Sequence, residues 1–356
     1  MKFLVIQQKM IGDVLTSSIL CDNLKREFPD AVVHYMAHKH TTAVIENHPS
    51  IDRIIRFDPE LRNNKFRFYH YVKELDKEEY DAIIDVYAKI ETSLIALWSR
   101  SPKSIGYYKW YSAFAYTHPV KRWKESKYGL GLAIEHRLQL LQPLLNGKSM
   151  EEMIHKPKIH LTREEKQEAL ALMQAHGLDA DEQPFMISIL GSGANKSYPA
   201  DHMARFLDEL AAATKRAMLF NYIPNQYEQV KEIYDLCKPE TRERIKLDLF
   251  ANSLRGFIAL LSYCKALIGN EGGAVNMAKA LDIPTFSIFS PWIPKGDWAI
   301  FEDGQNRSVH LRDFQPERFN NVKSKALKAK SNELYRAYSP ELIFPALKEF
   351  LQEIRG

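Results

Sequence analysis

Three short segments of this chain carry side chains that can do chemistry, and each follows an apolar run. The first run, Phe3-Leu4-Val5-Ile6, leads into Gly12-Asp13-Val14-Leu15. Gly12 permits a tight turn, and Asp13 falls at or near the first turn of a helix. A carboxylate there stays ionised beside the positive end of the helix dipole and can accept a proton from an alcohol. The same residue type caps a helix by satisfying orphan N–H groups, so both roles stay open for Asp13. In the second half, Leu190-Gly191-Ser192-Gly193-Ala194-Asn195-Lys196-Ser197-Tyr198-Pro199 lies between a strand pattern and a helix pattern. Its small residues expose N–H groups, Ser192 adds a hydroxyl and Lys196 a point charge, a set that suits the two phosphates of a nucleotide leaving group. The third segment, Ala266-Leu267-Ile268-Gly269-Asn270-Glu271-Gly272-Gly273-Ala274, puts a carboxylate at a turn before a helix. The N–H groups around Gly272, Gly273 and Ala274 would face a diphosphate at that helix N-terminus, although such glycines also serve a tight turn alone.

Other chemistries lack their patterns. The glycine segments match neither the Walker loop nor the dinucleotide fingerprint. No Gly-x-Ser-x-Gly elbow is present, and no Asp-x-Asp closes a strand run. His38-Lys39-His40 has no accompanying carboxylate or cysteine cluster and reads as a surface loop, so no metal is expected. Cys21, Cys237 and Cys264 are odd in number and far apart, which fits reduced packing residues and a cytosolic location.

The elements that must position these segments alternate regularly. Strand runs are read at 3–7, 32–36, 53–57, 82–86 and 104–107, then at 185–190, 217–222, 245–249, 266–269 and 285–289. Helical spacing fills the intervals at 14–28, 41–47, 66–75 and 92–100, then at 163–176, 201–215, 226–237, 254–264 and 274–281. Strands alternating with helices imply βαβ units and parallel sheets. A chain of 356 residues exceeds one ordinary core, and the pattern restarts near residue 180, so two doubly wound domains are expected in tandem. Pro157 and the polar stretch 179–184 are the candidate junctions. The domain bounds read 1–178 and 179–337, and 338–356 holds a last amphipathic helix introduced by Ser339-Pro340. No apolar run approaches the ~20 residues of a membrane span, and the first residues read as a core strand rather than a secretory signal.

Net charge is only +4, but the basic residues cluster. Lys103, Lys109, Lys121, Arg122, Lys124 and Lys127 interleave with Trp110, Phe114 and Trp123, against the single acid Glu125. Rings and cations together suit a phosphate-bearing partner at a membrane interface, and plain solvated surface is the alternative.

As an ordered set, these segments resemble the heptosyltransferase family, glycosyltransferase family 9, over nearly the whole chain. The family's Gly-Asp-Val/Ile-Leu turn is similar to Gly12-Asp13-Val14-Leu15. Its Lys-x-Trp-Pro-like element is similar to Lys196-Ser197-Tyr198-Pro199, and its late Asn-Asp-Ser/Thr-Gly-Pro-x-His signature to Asn270 through Asn276. The resemblance implies an α/β GT-B fold of two Rossmann-like domains facing a central cleft, with the final helix crossing back to the first domain. It implies metal-independent, inverting heptose transfer from a nucleotide-sugar, ADP-heptose, to a lipopolysaccharide inner-core acceptor at the anionic inner leaflet, without a cofactor and without nucleic acid. Asp13 would be the catalytic base. Gly12, Ser192, Lys196, Asn252, Glu271, Gly272, Gly273 and Ala274 would hold the donor, and Arg62, Lys65 and Arg67 the acceptor. Asn276 stands where the family has His, and Glu271 is a methylene longer than the usual Asp. The family's ribose-binding Glu has either Gln226 or Glu228 as its counterpart. A nucleotide-sugar epimerase of the same architecture and a non-catalytic nucleotide-binding module are the rival readings.

Overall fold

The computed structural model describes residues 1–145, 147–320 and 322–354, with the backbone alone of Asp297 and Trp298. It forms two compact units, Met1–His160 and Leu161–Gly356.

The first unit contains β1 (Lys2–Ile6), α1 (Ile11–Ser17), α2 (Ile19–Glu27), β2 (Val32–His38), β3 (Arg53–Phe57) and α3 (Lys65–Asp76). It continues with β4 (Ala82–Asp85), α4 (Ile90–Trp98), β5 (Lys103–Tyr107), β6 (His118–Val120) and α5 (Leu132–Gln139). The strands form one parallel sheet in the order β3-β2-β1-β4-β5-β6. Phe3, Leu4, Val5 and Ile6 are all fully buried, as expected of a central parallel strand covered on both faces. The run read as one helix over 14–28 is two, broken at Ser18. Hydroxyl groups compete with the backbone at that break. Thr16 Oγ1 donates to the Gly12 carbonyl at 2.8 Å, and Ser17 Oγ donates to the Asp13 carbonyl at 2.7 Å. The expected helix over 41–47 shrinks to a single 3₁₀ turn, Thr42–Val44.

The second unit opens with α6 (Arg163–Ala175), β7 (Phe185–Ser188), α7 (Ala200–Ala213), β8 (Met218–Phe220), α8 (Tyr227–Leu236), α9 (Pro239–Arg242) and β9 (Ile245–Lys246). Then come α10 (Leu254–Leu261), β10 (Ala266–Asn270), α11 (Gly273–Ala280), β11 (Thr285–Ile288), α12 (Lys295–Trp298) and β12 (Asn306–Val309). Four helices close it: α13 (Leu311–Phe314), α14 (Ser324–Ala329), α15 (Ser331–Ala337) and α16 (Pro340–Glu353). Its parallel sheet runs β12-β11-β10-β7-β8-β9. Read from its other edge, this is the strand order of the first unit.

Two expected boundaries are corrected. Arg255 on α10 donates through Nε to Glu165 on α6 at 2.6 Å, which ties 161–178 to the second unit and moves the junction earlier than 178. The last helix, expected to cross back to the first domain, is part of the second unit's core. Ile343, Leu347 and Phe350 are fully buried there among Phe206, Leu210 and Phe286. On its outer face Lys348 pairs with Glu209 at 2.7 Å, and Arg307 pairs with Glu349 and Glu353 at 2.7 and 2.9 Å.

Candidate active site

In an open parallel sheet, ligands gather where the strand order reverses, beyond the strand C-termini. In the first unit that point lies between β1 and β4. There Asp13 is the third residue of α1, and its Oδ2 accepts a long bond from the Met10 N–H at 3.4 Å. Its Oδ1 accepts from Arg137 Nη2 on α5 at 2.7 Å. Arg137 is nearly buried at 7% side-chain exposure, whereas Asp13 retains 26%. The carboxylate is therefore half engaged, with Oδ2 left for another partner. Gly12, expected at the turn, is already the second helical residue and does not adopt a positive φ. The connection is made instead by 7–10.

Arg62 reaches the same rim. Its Nη2 donates to Gln8 Oε1 at 2.9 Å and pairs with Glu91 at the start of α4 at 2.8 Å. The Tyr87 hydroxyl feels Glu91, Arg62 and Asp13 together, and burial raises its pKa. Lys65 and Arg67 lie apart from this group, exposed on the first turn of α3, where Asn64 Oδ1 caps the Arg67 N–H at 3.0 Å. Asp85, at the end of β4, is fully buried; desolvation lifts its pKa to about 6, against bonds from the Ala88 N–H and Tyr116 hydroxyl, both 2.8 Å.

The reversal point of the second unit lies between β7 and β10, and Asn270 welds the two loops that leave it. Its Oδ1 accepts from the Tyr198 N–H at 2.7 Å, and its Nδ2 donates to the carbonyls of Ser188 and Ile189 at 3.0 and 2.9 Å. The β7 loop folds so tightly that a Cβ on Gly191 would collide with the Lys196 carbonyl oxygen. Ser192 at its tip is exposed. Lys196 ends a 3₁₀ turn with its Nζ 5.7 Å from the centre of the Trp292 ring. Trp292 Nε1 in turn holds the Asn195 carbonyl at 2.7 Å.

At the β10 turn, Glu271 is half-buried, and among the described residues its buried Oε1 has no hydrogen-bond partner. Burial raises its pKa, and Lys196 opposes the rise, so the two segments singled out from sequence share one field. Gly272, with a φ of 156°, is the cap of α11. A side chain is rarely tolerated in that backbone conformation, which glycine adopts freely. Among the described residues, no side chain caps the N–H groups of Gly273 and Ala274 that open the helix. Uncovered N–H groups, a positive helix end and a lysine make a site for an anion.

Two cavities lie on the same unit. One of about 510 Å³ is lined by Tyr222, Pro224, Tyr227, Glu228, Asp248 and Phe250 beyond β8 and β9. Gln226 Oε1 is spent on the Ile223 N–H at 3.1 Å, whereas Glu228 lines this cavity together with a second carboxylate, Asp248. Asn252 lines the other cavity, of about 310 Å³, with Glu165, Glu168, Ser253 and Arg255. Among the described residues, no group of three or more His, Cys, Asp or Glu side chains is placed to hold a metal. His38 is buried against Phe57, not in a surface loop.

Sequence reasoning did not find Arg137 or Trp292. The signal for Arg137 was an ionisable run, Glu135-His136-Arg137, set within Ile134, Leu138, Leu140 and Leu141. Ionisable residues inside such an apolar helix must find partners.

Two Rossmann-type sheets of identical strand order, one rim carrying a carboxylate and the other an anion cradle, define the two-domain glycosyltransferase fold called GT-B. The chain belongs to glycosyltransferase family 9, the heptosyltransferases, whose family model matches residues 68–309. It is 22% identical to lipopolysaccharide heptosyltransferase 1 of Campylobacter coli over 295 residues, 81% of this chain and 84% of that protein. It is similar to the glycosyl transferase family 9 structure from Veillonella parvula, with a TM-score of 0.80, 17% identity, and 99% and 97% of the two chains covered. It is also similar to the E. coli heptosyltransferase WaaC with ADP-2-deoxy-2-fluoro heptose, with a TM-score of 0.68, 16% identity, and 89% and 100% covered. The protein is a glycosyltransferase.

Proposed function

We propose that the protein transfers heptose from ADP-heptose to a lipopolysaccharide inner-core acceptor, with inversion at the anomeric carbon and without a metal. The observation that carries this reading is the uncapped N-terminus of α11, with the unpartnered Oε1 of Glu271 beside it in the field of Lys196. In this reading Lys196, Ser192 and the N–H groups of Gly273 and Ala274 stabilise the ADP diphosphate as it leaves, where negative charge develops. Glu271, with an unpartnered buried oxygen, hydrogen-bonds the donor sugar. The nucleoside lies over Tyr222, Tyr227 and Phe250, with Glu228 on the ribose hydroxyls and the segment holding Asn252 nearby.

Asp13 takes the proton of the acceptor hydroxyl through Oδ2 as that oxygen attacks the sugar C1 opposite the departing diphosphate. Arg62, Lys65 and Arg67 offer cations to the acidic acceptor. Gly12 leaves space beside the base.

A membrane-bound acceptor also accounts for the surface of the first unit. Trp110 is 85% and Phe114 72% exposed, beside Lys109, Lys121 and Arg122. Each basic residue near an anionic leaflet contributes about 1 kcal/mol. We place the protein at the cytoplasmic face on this ground; no helix among the described residues is long and apolar enough to cross a membrane.

The test incubates the protein with ADP-heptose, with and without core acceptor, in EDTA. The reading predicts acceptor-dependent ADP release and a product of inverted anomeric configuration. ADP release or sugar isomerisation without acceptor would instead point to an epimerase-type reaction, and loss of turnover in EDTA would overturn metal independence.

A further inference from the structure

We infer that Arg137 is the positioning residue for Asp13, selecting which carboxylate oxygen meets the acceptor hydroxyl; this rests on the reading of Asp13 as base. A carboxylate at the first turn of a helix has two equivalent oxygens and rotates about its side-chain bonds. Arg137 removes that freedom with a planar guanidinium fixed on several sides. Its Nε donates to Ser17 Oγ at 2.9 Å, its Nη1 to the Ala133 carbonyl, and its Nη2 to Asp13 Oδ1 at 2.7 Å. The fork thus spans α1 and its own helix α5 before it touches the aspartate.

Exposed ion pairs contribute little, but this one places a nearly buried guanidinium against a half-open carboxylate. The bonds to Ser17 and Ala133 already hold the guanidinium between the two helices. What the contact to Oδ1 adds is direction, since among the described residues it leaves Oδ2 with only the 3.4 Å approach of the Met10 N–H. The same helix fixes the basic, aromatic loop that follows β6. Glu135 accepts from the N–H groups of Lys127, Tyr128 and Leu130 at 2.8, 3.0 and 3.2 Å, and from Ser126 Oγ at 2.5 Å. α5 therefore sets the orientation of the base and the shape of the loop from adjacent positions.

The test compares Arg137→Lys and Arg137→Gln in the full-length protein, using ADP-heptose and core acceptor, with melting curves and donor affinity measured alongside. Lysine keeps the charge and loses the fork; glutamine keeps polarity and loses both charge and fork. A misplaced base costs on the order of 10- to 100-fold, so kcat falls by about that factor in both variants. Donor affinity stays within twofold and acceptor KM within threefold of wild type. In an Asp13→Asn background, Arg137→Lys then produces no further loss of the residual rate. Either a kcat within twofold of wild type in a folded variant, or a loss that persists undiminished in the Asp13→Asn background, overturns the inference. Wild-type turnover by Asp13→Asn alone overturns the reading of the base instead, and so separates the two failures.

Discussion

At the reversal point of the first unit, β1 ends with Ile6 beside the fully buried carboxyl of Asp85. At the corresponding point of the second unit, β7 ends with Ser188 beside Gly269, where a Cβ would lie 2.5 Å from the Ser188 carbonyl oxygen. One rim is filled with ionisable side chains, among them Asp13, Arg137, Arg62 and Glu91. The other is largely bared to backbone by Gly191, Gly269, Gly272 and Gly273, with Lys196 and Glu271 as its charged side chains. The same sheet order therefore supports opposite tasks. A rim rich in side chains can orient a base, whereas a bare rim brings N–H groups close to phosphate oxygens.

Apart from loss of the base itself, the largest effect expected from this contrast is at Lys196. Lys196→Ala removes the cation of the bare rim and lowers kcat/KM by about 10²–10³-fold, the range for loss of one transition-state charge partner. Steady-state kinetics check this, and a loss under threefold would break the comparison on the donor side.

Gly269→Ala comes next. The methyl group meets backbone at a positive φ of 127°. The second unit therefore loses about 3 kcal/mol in chemical unfolding while the first is unaffected. An unchanged midpoint would show that the bare rim tolerates side chains.

Asp85 sharpens the contrast from the filled rim. Its folded pKa of about 6 lies above the unfolded value, so the native state binds the extra proton. Its contribution is full below about pH 4 and is lost as pH rises through about 6. Asp85→Asn flattens this dependence, read from denaturant midpoints across pH. A variant that kept the wild-type pH dependence would assign it to other groups.

The smallest effect is at the surface. Replacing Trp110 and Phe114 together by Ala weakens binding to anionic vesicles about tenfold and leaves turnover on a soluble acceptor unchanged. Sedimentation with vesicles measures it, and equal binding by the variant would remove this surface from the account.

How much of this was legible follows from the physics of each part. The alternation of apolar strands with helices is local, so the two-sheet architecture could be read directly. The short edge strands β6 and β12 escaped because three or four residues at a sheet edge carry little apolar pattern. Asp13, Lys196 and Glu271 could be singled out as candidates because each lies in the segment that follows an apolar strand run. Arg137 could not be, because its contact with Asp13 is 124 positions away along the chain. The final helix was not placed for a related reason: its amphipathic spacing shows that it packs, and only contacts distant in sequence, such as Phe350 against Phe286 and Lys348 with Glu209, show where.

The central claim, that the filled rim supplies the base and the bare rim holds the donor, is tested most directly by Asp13→Ala in paired assays of donor affinity and transfer rate. The account predicts donor affinity within a few-fold of wild type and transfer abolished. Near wild-type transfer in that variant would contradict it.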